Sequence, residues 1–93
     1  MIRSFSDDET ERICRGLRVR RLPLDVQAVA LRKLMLIDAA ARIDDLRVPS
    51  GNRLEALKGN RKGQLSIRIN GQWRVCFKWV KGYAEDIEII DHH

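Results

Sequence analysis

Acidic residues almost vanish from one stretch of this chain. Between positions 53 and 81 there is one, Glu55, against eight basic residues: Arg53, Lys58, Arg61, Lys62, Arg68, Arg74, Lys78 and Lys81. Histidine is scarcer still, because its two occurrences, His92 and His93, close the sequence. Two adjacent histidines without a third ligand nearby make a poor metal site, so no metal or other cofactor is expected. Cysteine is limited to Cys14 and Cys76, far apart and outside any ligand spacing. That excludes a disulfide framework and reads as two reduced structural thiols. No apolar run is longer than four residues, as in Leu34-Met35-Leu36-Ile37, so no segment is expected to enter a membrane. The opening residues run straight into Asp7-Asp8-Glu9, unlike a secretory signal. The expected location is cytoplasmic.

What is present suits a single small domain over 1–93. Apolar residues make up 44% and charged residues 33% of the chain, the balance of a folded globule rather than a disordered one. The net charge of +5 is concentrated: positions 1–50 hold ten basic and eight acidic residues, close to neutrality. A basic segment followed by imidazoles that exchange protons near neutral pH suits the handling of a polyanion.

Along the chain, residues 1–5 suit a short first strand. Ser6-Asp7-Asp8-Glu9 has the pattern of a capping box, opening a helix over about 7–15 that Gly16 ends. Asp8 with Arg12 and Glu11 with Arg15 are supporting pairs on that helix. After a basic connection (Arg18, Arg20, Arg21), Pro23 suits the first turn of a second helix running to about 42, with a wide apolar arc for lying on a sheet. Residues 43–52 read as a loop. The rest reads as a strand meander over 53–57, 64–69, 73–79 and 85–91, with a basic loop at 58–63 and turns at Asn70-Gly71-Gln72 and around Lys81-Gly82-Tyr83.

Strand alternation extends the reading. Leu65, Ile67 and Ile69 share one face, and Trp73, Val75, Phe77 and Trp79 share one face of the next strand. A two-residue Asn70-Gly71 turn would mix the faces. Burial of these side chains, worth about 1.5–3 kcal/mol each, demands an odd connection that pairs Ile69 with Trp73 and Ile67 with Val75. Arg68 then stands opposite Arg74. Continued to the last strand, the pattern pairs Trp79 with Ile87 and Phe77 with Ile89, and sets Lys78 opposite Glu88 and Arg74 opposite His92. A row of Arg68, Arg74 and His92 places like charges together, an arrangement eased by a phosphate between them or by arginines splaying into solvent.

Leu57-Lys58-Gly59, Ser66-Ile67-Arg68-Ile69-Asn70, Gln72-Trp73-Arg74-Val75-Cys76-Phe77 and the closing Glu88-Ile89-Ile90-Asp91-His92-His93 resemble the HigB toxins of the RelE-like superfamily, from type II toxin–antitoxin systems. The resemblance covers essentially the whole chain. It implies an α+β, RelE-like fold in which two N-terminal helices pack on a twisted, mainly antiparallel sheet. It also implies a metal-free endoribonuclease, or mRNA interferase, that cuts messenger RNA in the ribosomal decoding site. The implied partner is a helix-turn-helix, HigA-like antitoxin that contacts operator DNA on behalf of the pair. The family's lysine after leucine is Lys58, its arginine after tryptophan is Arg74, and its closing Asp-Tyr-His falls on Asp91, His92 and His93, with the catalytic histidine at His93. Two positions depart: the family's tyrosine is His92 here, and a histidine that some members carry before the Leu-Lys-Gly is Glu55.

The chemistry fits those residue types. Attack of a 2′-hydroxyl on the adjacent phosphorus needs a base, charge stabilisation and an acid for the leaving 5′ oxygen. Arg74 and Lys58 suit the phosphate, His93 one proton transfer, and His92 or Glu55 the other. Asp91 would hold an imidazole tautomer or orient Arg74. Arg68, Arg61 and Lys62 are candidate RNA contacts, with solvated loop charges as the plainer reading of the last two, and Glu55 is either a site residue or a salt-bridge partner. Trp73 and Trp79 belong to the core. Rival functions are a non-catalytic RNA- or ribosome-binding module, or an inactive homologue that only binds an antitoxin.

Overall fold

The computed structural model describes residues 1–91. Helix α1 (Asp8–Cys14) and helix α2 (Leu24–Ala39) precede strands β1 (Glu55–Ala56), β2 (Leu65–Arg68), β3 (Trp73–Val80) and β4 (Tyr83–Asp91). The four strands form one antiparallel sheet in the order β1-β2-β3-β4, a simple meander. Three short 3-10 turns, Ile43–Arg47, Ser50–Asn52 and Gly59–Arg61, punctuate the connections. No helix among the described residues is long and apolar enough to cross a membrane.

Helix α1 begins with Asp8, Glu9 and Glu11 in its first turn, where carboxylates meet the positive end of the helix dipole. It ends in a Schellman motif: Gly16, at φ +80°, donates to the Ile13 carbonyl at 2.9 Å, and Leu17 N–H donates to the Arg12 carbonyl at 2.9 Å. The capping box expected from Ser6 and Glu9 does not form. Asp7 is the N-cap, without a side-chain cap bond, and the Ser6 hydroxyl instead donates to the Asp86 carbonyl at 3.0 Å. Glu11 and Arg15 pair at 2.8 Å as expected. Pro23 is the N-cap of α2, and the helix stops three residues earlier than its composition suggests, at Ala39. Gln27, buried on α2, ties the preceding connection down. Its amide donates to the carbonyls of Val19 (2.7 Å) and Leu22 (2.6 Å) and accepts from Val19 N–H (3.0 Å).

Val26, Ala30, Leu34 and Ile37 of α2 pack with Ile13 of α1 onto Ile67, Val75, Phe77, Ile87 and Ile89 of the sheet. The β2–β3 register is the one burial demands: Ile67 pairs with Val75 and Arg68 with Arg74. The turn is closed by Asn70, whose Oδ1 accepts from Gln72 N–H and Trp73 N–H, both at 2.8 Å. The β3–β4 register differs from expectation. Val80 pairs with Tyr83 across a two-residue turn in which Lys81 (φ +52°) and Gly82 (φ +86°) are both left-handed, the geometry of a tight hairpin. Continued unbroken, that hairpin would bring Val75 opposite an outward glutamate. A bulge between Cys76 and Lys78 on β3, centred on Asp86 (φ +53°) of β4, adds one residue and restores the apolar face, so Val75 meets Ile89. Arg74 therefore lies opposite Ile90, not His92, and Lys78 opposite Glu85, not Glu88.

The N-terminal segment runs parallel along the free edge of β4 as two isolated bridges, Ile2 to Ala84 and Phe5 to Ile87, rather than as a continuous strand. Ser4 Oγ accepts from Asp86 N–H at 2.9 Å, so the bulge is fastened from this side.

Candidate RNA-binding groove

On the face of the sheet away from the helices, one row crosses all four strands: Glu55, Ser66, Cys76 and Glu88. Arg74 stands next to this row on β3 and turns into it. Its Nε donates to Ser66 Oγ at 2.8 Å, and its Nη2 donates to the Arg53 carbonyl at 2.7 Å and to the Ser66 carbonyl at 3.4 Å. Nη2 also lies 3.2 Å from Glu55 Oε1. Only 5% of Arg74 is exposed. A buried guanidinium needs such a set of acceptors, because an unpaired charge away from water is costly. The Nη1 group takes no hydrogen-bond partner among the described residues. One edge of the guanidinium is thus fixed by protein, and Arg74 also lines a groove beside it.

The groove, of about 490 Å³, is lined by Arg53, Leu54, Glu55, Arg68, Asn70, Gly71 and Arg74. Three guanidinium-bearing residues against one carboxylate make it an anion seat. Arg68, half-buried and directly across from Arg74, makes no side-chain hydrogen bond among the described residues. Of the residues expected from the sequence, the fold thus unites Arg74, Arg68 and Glu55. Lys58 and Lys62 flank the turn Gly59–Arg61, exposed and outside the groove's lining.

Arg61 is used differently. It crosses the sheet to pair with Glu88 Oε1 and donates to Gln64 Oε1 at 3.1 Å. The Glu88 hydrogen bond raises its pKa above the ordinary arginine value, against the opposing effect of burial. Beside this pair lies the Cys76 thiol, fully buried. Burial pushes it up to about 11, with Arg61 pulling down, Glu88 pushing up and Arg74 pulling down as smaller effects. Asp91 ends β4 opposite Trp73, and its Oδ2 accepts from the Gln72 side-chain amide at 3.1 Å. His92 and His93 lie outside the described residues. Among the described residues, no group of three or more His, Cys, Asp or Glu is placed to hold a metal ion.

Two contributors were not singled out by the sequence reading. Ser66 was legible in principle, because the β2–β3 register puts it diagonal to Arg74 on the same face. Arg53 acts through its backbone carbonyl, presented by a left-handed residue (φ +46°) after the turn Ser50–Asn52. No side-chain pattern announces that.

Known proteins resemble this chain in sequence and in fold. A family model described as the RelE-like toxin of type II toxin–antitoxin system HigB matches residues 3–93. Toxin HigB-1 of Vibrio cholerae is 45% identical over 75 residues, covering 81% of this chain and 79% of that protein. Endoribonuclease HigB of Proteus vulgaris is 34% identical over 61 residues, covering 66% of this chain and 65% of that one. Among solved structures, YafQ from Escherichia coli strain BL21(DE3) superimposes with a TM-score of 0.52 at 11% identity, over 94% of this chain and 91% of YafQ, a likeness of fold alone.

Proposed function

This chain belongs to the HigB-like family of RelE-like toxins from type II toxin–antitoxin systems, and from that premise we propose that it is a ribosome-dependent endoribonuclease that cuts messenger RNA without a metal. The observation that carries the reading is Arg74, held rigid by Ser66, Arg53 and Glu55 with its remaining edge on an arginine-lined groove. The relative named an endoribonuclease supports the same class of reaction.

In this reading the scissile phosphate lies against Arg74 Nη1, with Arg68 and the long side chain of Lys58 adding charge. The substrate's 2′-hydroxyl attacks the adjacent phosphorus. Its proton passes to a base, the P–O5′ bond breaks, and an acid protonates the departing 5′ oxygen, leaving a 2′,3′-cyclic phosphate and a 5′-hydroxyl. His93 serves one proton transfer and His92 or Glu55 the other, with Asp91 orienting an imidazole. Arg74 acts on the dianionic transition state, and because its position is fixed before substrate arrives, little reorganisation is needed as charge develops. Arg61 and Lys62 would touch RNA further along the strand. The cytoplasm, where ribosomes translate, is the working compartment. A HigA-like helix-turn-helix antitoxin is the partner, through which the pair reaches operator DNA.

The test is cleavage of a defined message, programmed on ribosomes or free in solution, with and without a single 2′-deoxy substitution at the cut site. Cleavage on ribosomes that the deoxy substitution abolishes is the expected result. Equal cutting of the deoxy message removes the 2′-hydroxyl mechanism, and equal cutting of free RNA removes the ribosome requirement.

A further inference from the structure

Helix α2 has more apolar surface than the sheet covers. Val26, Ala30, Leu34 and Ile37 are buried, while Met35 is 44% and Leu36 37% exposed. These two, with Val29 and Leu31, meet Ile69 and Pro49 across a second groove of about 1000 Å³ between α2 and the β2–β3 turn. An uncovered apolar groove of this size marks an interaction surface. Its charged lining is Arg32, Lys33 and Arg68, with no Asp or Glu. Lys33 donates to the neutral Asn52 Oδ1 and has no carboxylate partner among the described residues. Burial and the neighbouring Arg32 both lower its pKa, as befits an ammonium short of counter-charge.

We propose that this groove docks an acidic, amphipathic segment of the antitoxin, whose apolar side chains lie on Met35, Leu36 and Ile69 while its carboxylates reach Arg32, Lys33 and Arg68. The inference rests on reading the chain as the toxin of a toxin–antitoxin pair. Complementarity decides the occupant. Nucleic acid offers phosphates but no aliphatic face, and a second copy of this chain docked groove to groove would set Arg32, Lys33 and Arg68 against their own counterparts. The location has a consequence for activity. Arg68 and Asn70 line both this groove and the Arg74 groove, so a carboxylate that takes Arg68 withdraws charge from the RNA seat. The antitoxin then weakens RNA binding without entering the space beside Arg74, and by linkage RNA weakens antitoxin binding by the same factor.

The experiment uses the full-length chain and its purified cognate antitoxin. Affinity is measured by titration calorimetry for the wild type and for Met35→Asp, Leu36→Asp and Arg32→Glu, all exposed positions outside the RNA seat. Cleavage on programmed ribosomes and the melting temperature are measured alongside. The expected result is antitoxin affinity weakened by about tenfold or more in each variant, with cleavage and melting unchanged. A non-cleavable 2′-deoxy oligonucleotide should also compete with the antitoxin. Affinity within roughly threefold of wild type in all three variants overturns the docking site. So does a concentration-dependent dimer, seen by light scattering, that Met35→Asp abolishes while antitoxin affinity is kept, because the groove then belongs to a second copy. A wild type that binds antitoxin through this groove yet cuts no RNA leaves the docking site standing and removes the nuclease reading alone.

Discussion

Arg68 and Arg74 face each other in register on β2 and β3, yet the protein holds one guanidinium and leaves the other free of side-chain bonds among the described residues. Arg74 is fixed by Ser66, the Arg53 carbonyl and Glu55, while Arg68 lies between two grooves. Like charges directly opposite on adjacent strands are unfavourable. The fold separates them by turning Arg74 toward the carboxylate of Glu55. What remains is one preorganised donor edge and one adaptable one.

Preorganisation makes Arg74 the more sensitive position. Arg74→Ala should lower single-turnover cleavage by about 10²–10³-fold, the usual loss when a fixed donor to developing charge is removed. Arg74→Lys should recover little, because an ammonium cannot bond Ser66, Arg53 and a phosphate in one plane. Ser66→Ala leaves the charge but removes the bond that fixes the guanidinium at Nε, and should lower kcat more than it raises KM. Melting temperatures distinguish this from unfolding, and wild-type rates in Arg74→Ala would remove it from the mechanism.

Arg68 should behave as a binding residue. Affinity for a non-cleavable RNA falls with salt as counterions are released, and the slope counts neutralised phosphates. Arg68→Ala should lessen that slope by about one while leaving the chemical step on saturating substrate nearly unchanged. An unaltered slope would mean that Arg68 does not contact phosphate.

The β2–β3 register was legible because two apolar rows, Leu65-Ile67-Ile69 and Trp73-Val75-Phe77, leave one way of sharing a face. The β3–β4 register was not, since a two-residue turn at Lys81-Gly82 and an extra residue at Asp86 act together. The signal was the spacing from Ala84 to Ile87, three residues where strict alternation gives two, followed by Ile89 at the normal interval. The capping box failed for a tertiary reason: the Ser6 hydroxyl is taken by Asp86, eighty positions away. In the site, Arg74 and its charged setting could be read from residue types, but the carbonyl of Arg53 could not.

The hairpin therefore supplies a stability test. Lys81 sits at φ +52°, a region that side chains other than asparagine and aspartate occupy at a cost. Lys81→Asn should raise Tm by a few degrees, corresponding to roughly 1 kcal/mol or less. Inserting an alanine after Asp86 should do the reverse and prevent folding, because Ile87 and Ile89 would then change faces, each forfeiting about 1.5–3 kcal/mol of burial. A folded insertion variant with wild-type Tm would show that the spacing at Asp86 does not set the register.

Cys76 carries the pH dependence that can be read most directly. Its thiol lies buried between β2 and β4 and is pushed up to about 11 from 9.0, chiefly by burial. The folded state thus prefers the protonated form, while the unfolded chain releases the proton near pH 9. Below pH 9 both states are protonated, and the thiol leaves stability independent of pH. As pH rises from about 9 to about 11, the unfolded state alone ionises, and stability is lost. Denaturant melts across that window should show a steeper decline for wild type than for Cys76→Ala, which pays a cavity cost at every pH but lacks the titration. Cys14, also raised by burial and by Asp38 and Glu11, is present in both proteins and cancels in the difference. Alkylation gives an independent reading: at pH 8 Cys76 should react far more slowly in the folded protein than in denaturant, since thiolate is the nucleophile. Parallel declines for the two proteins, or alkylation of native Cys76 at the rate of a free thiol, would mean that Arg61 and Glu88 leave this face of the sheet open to water.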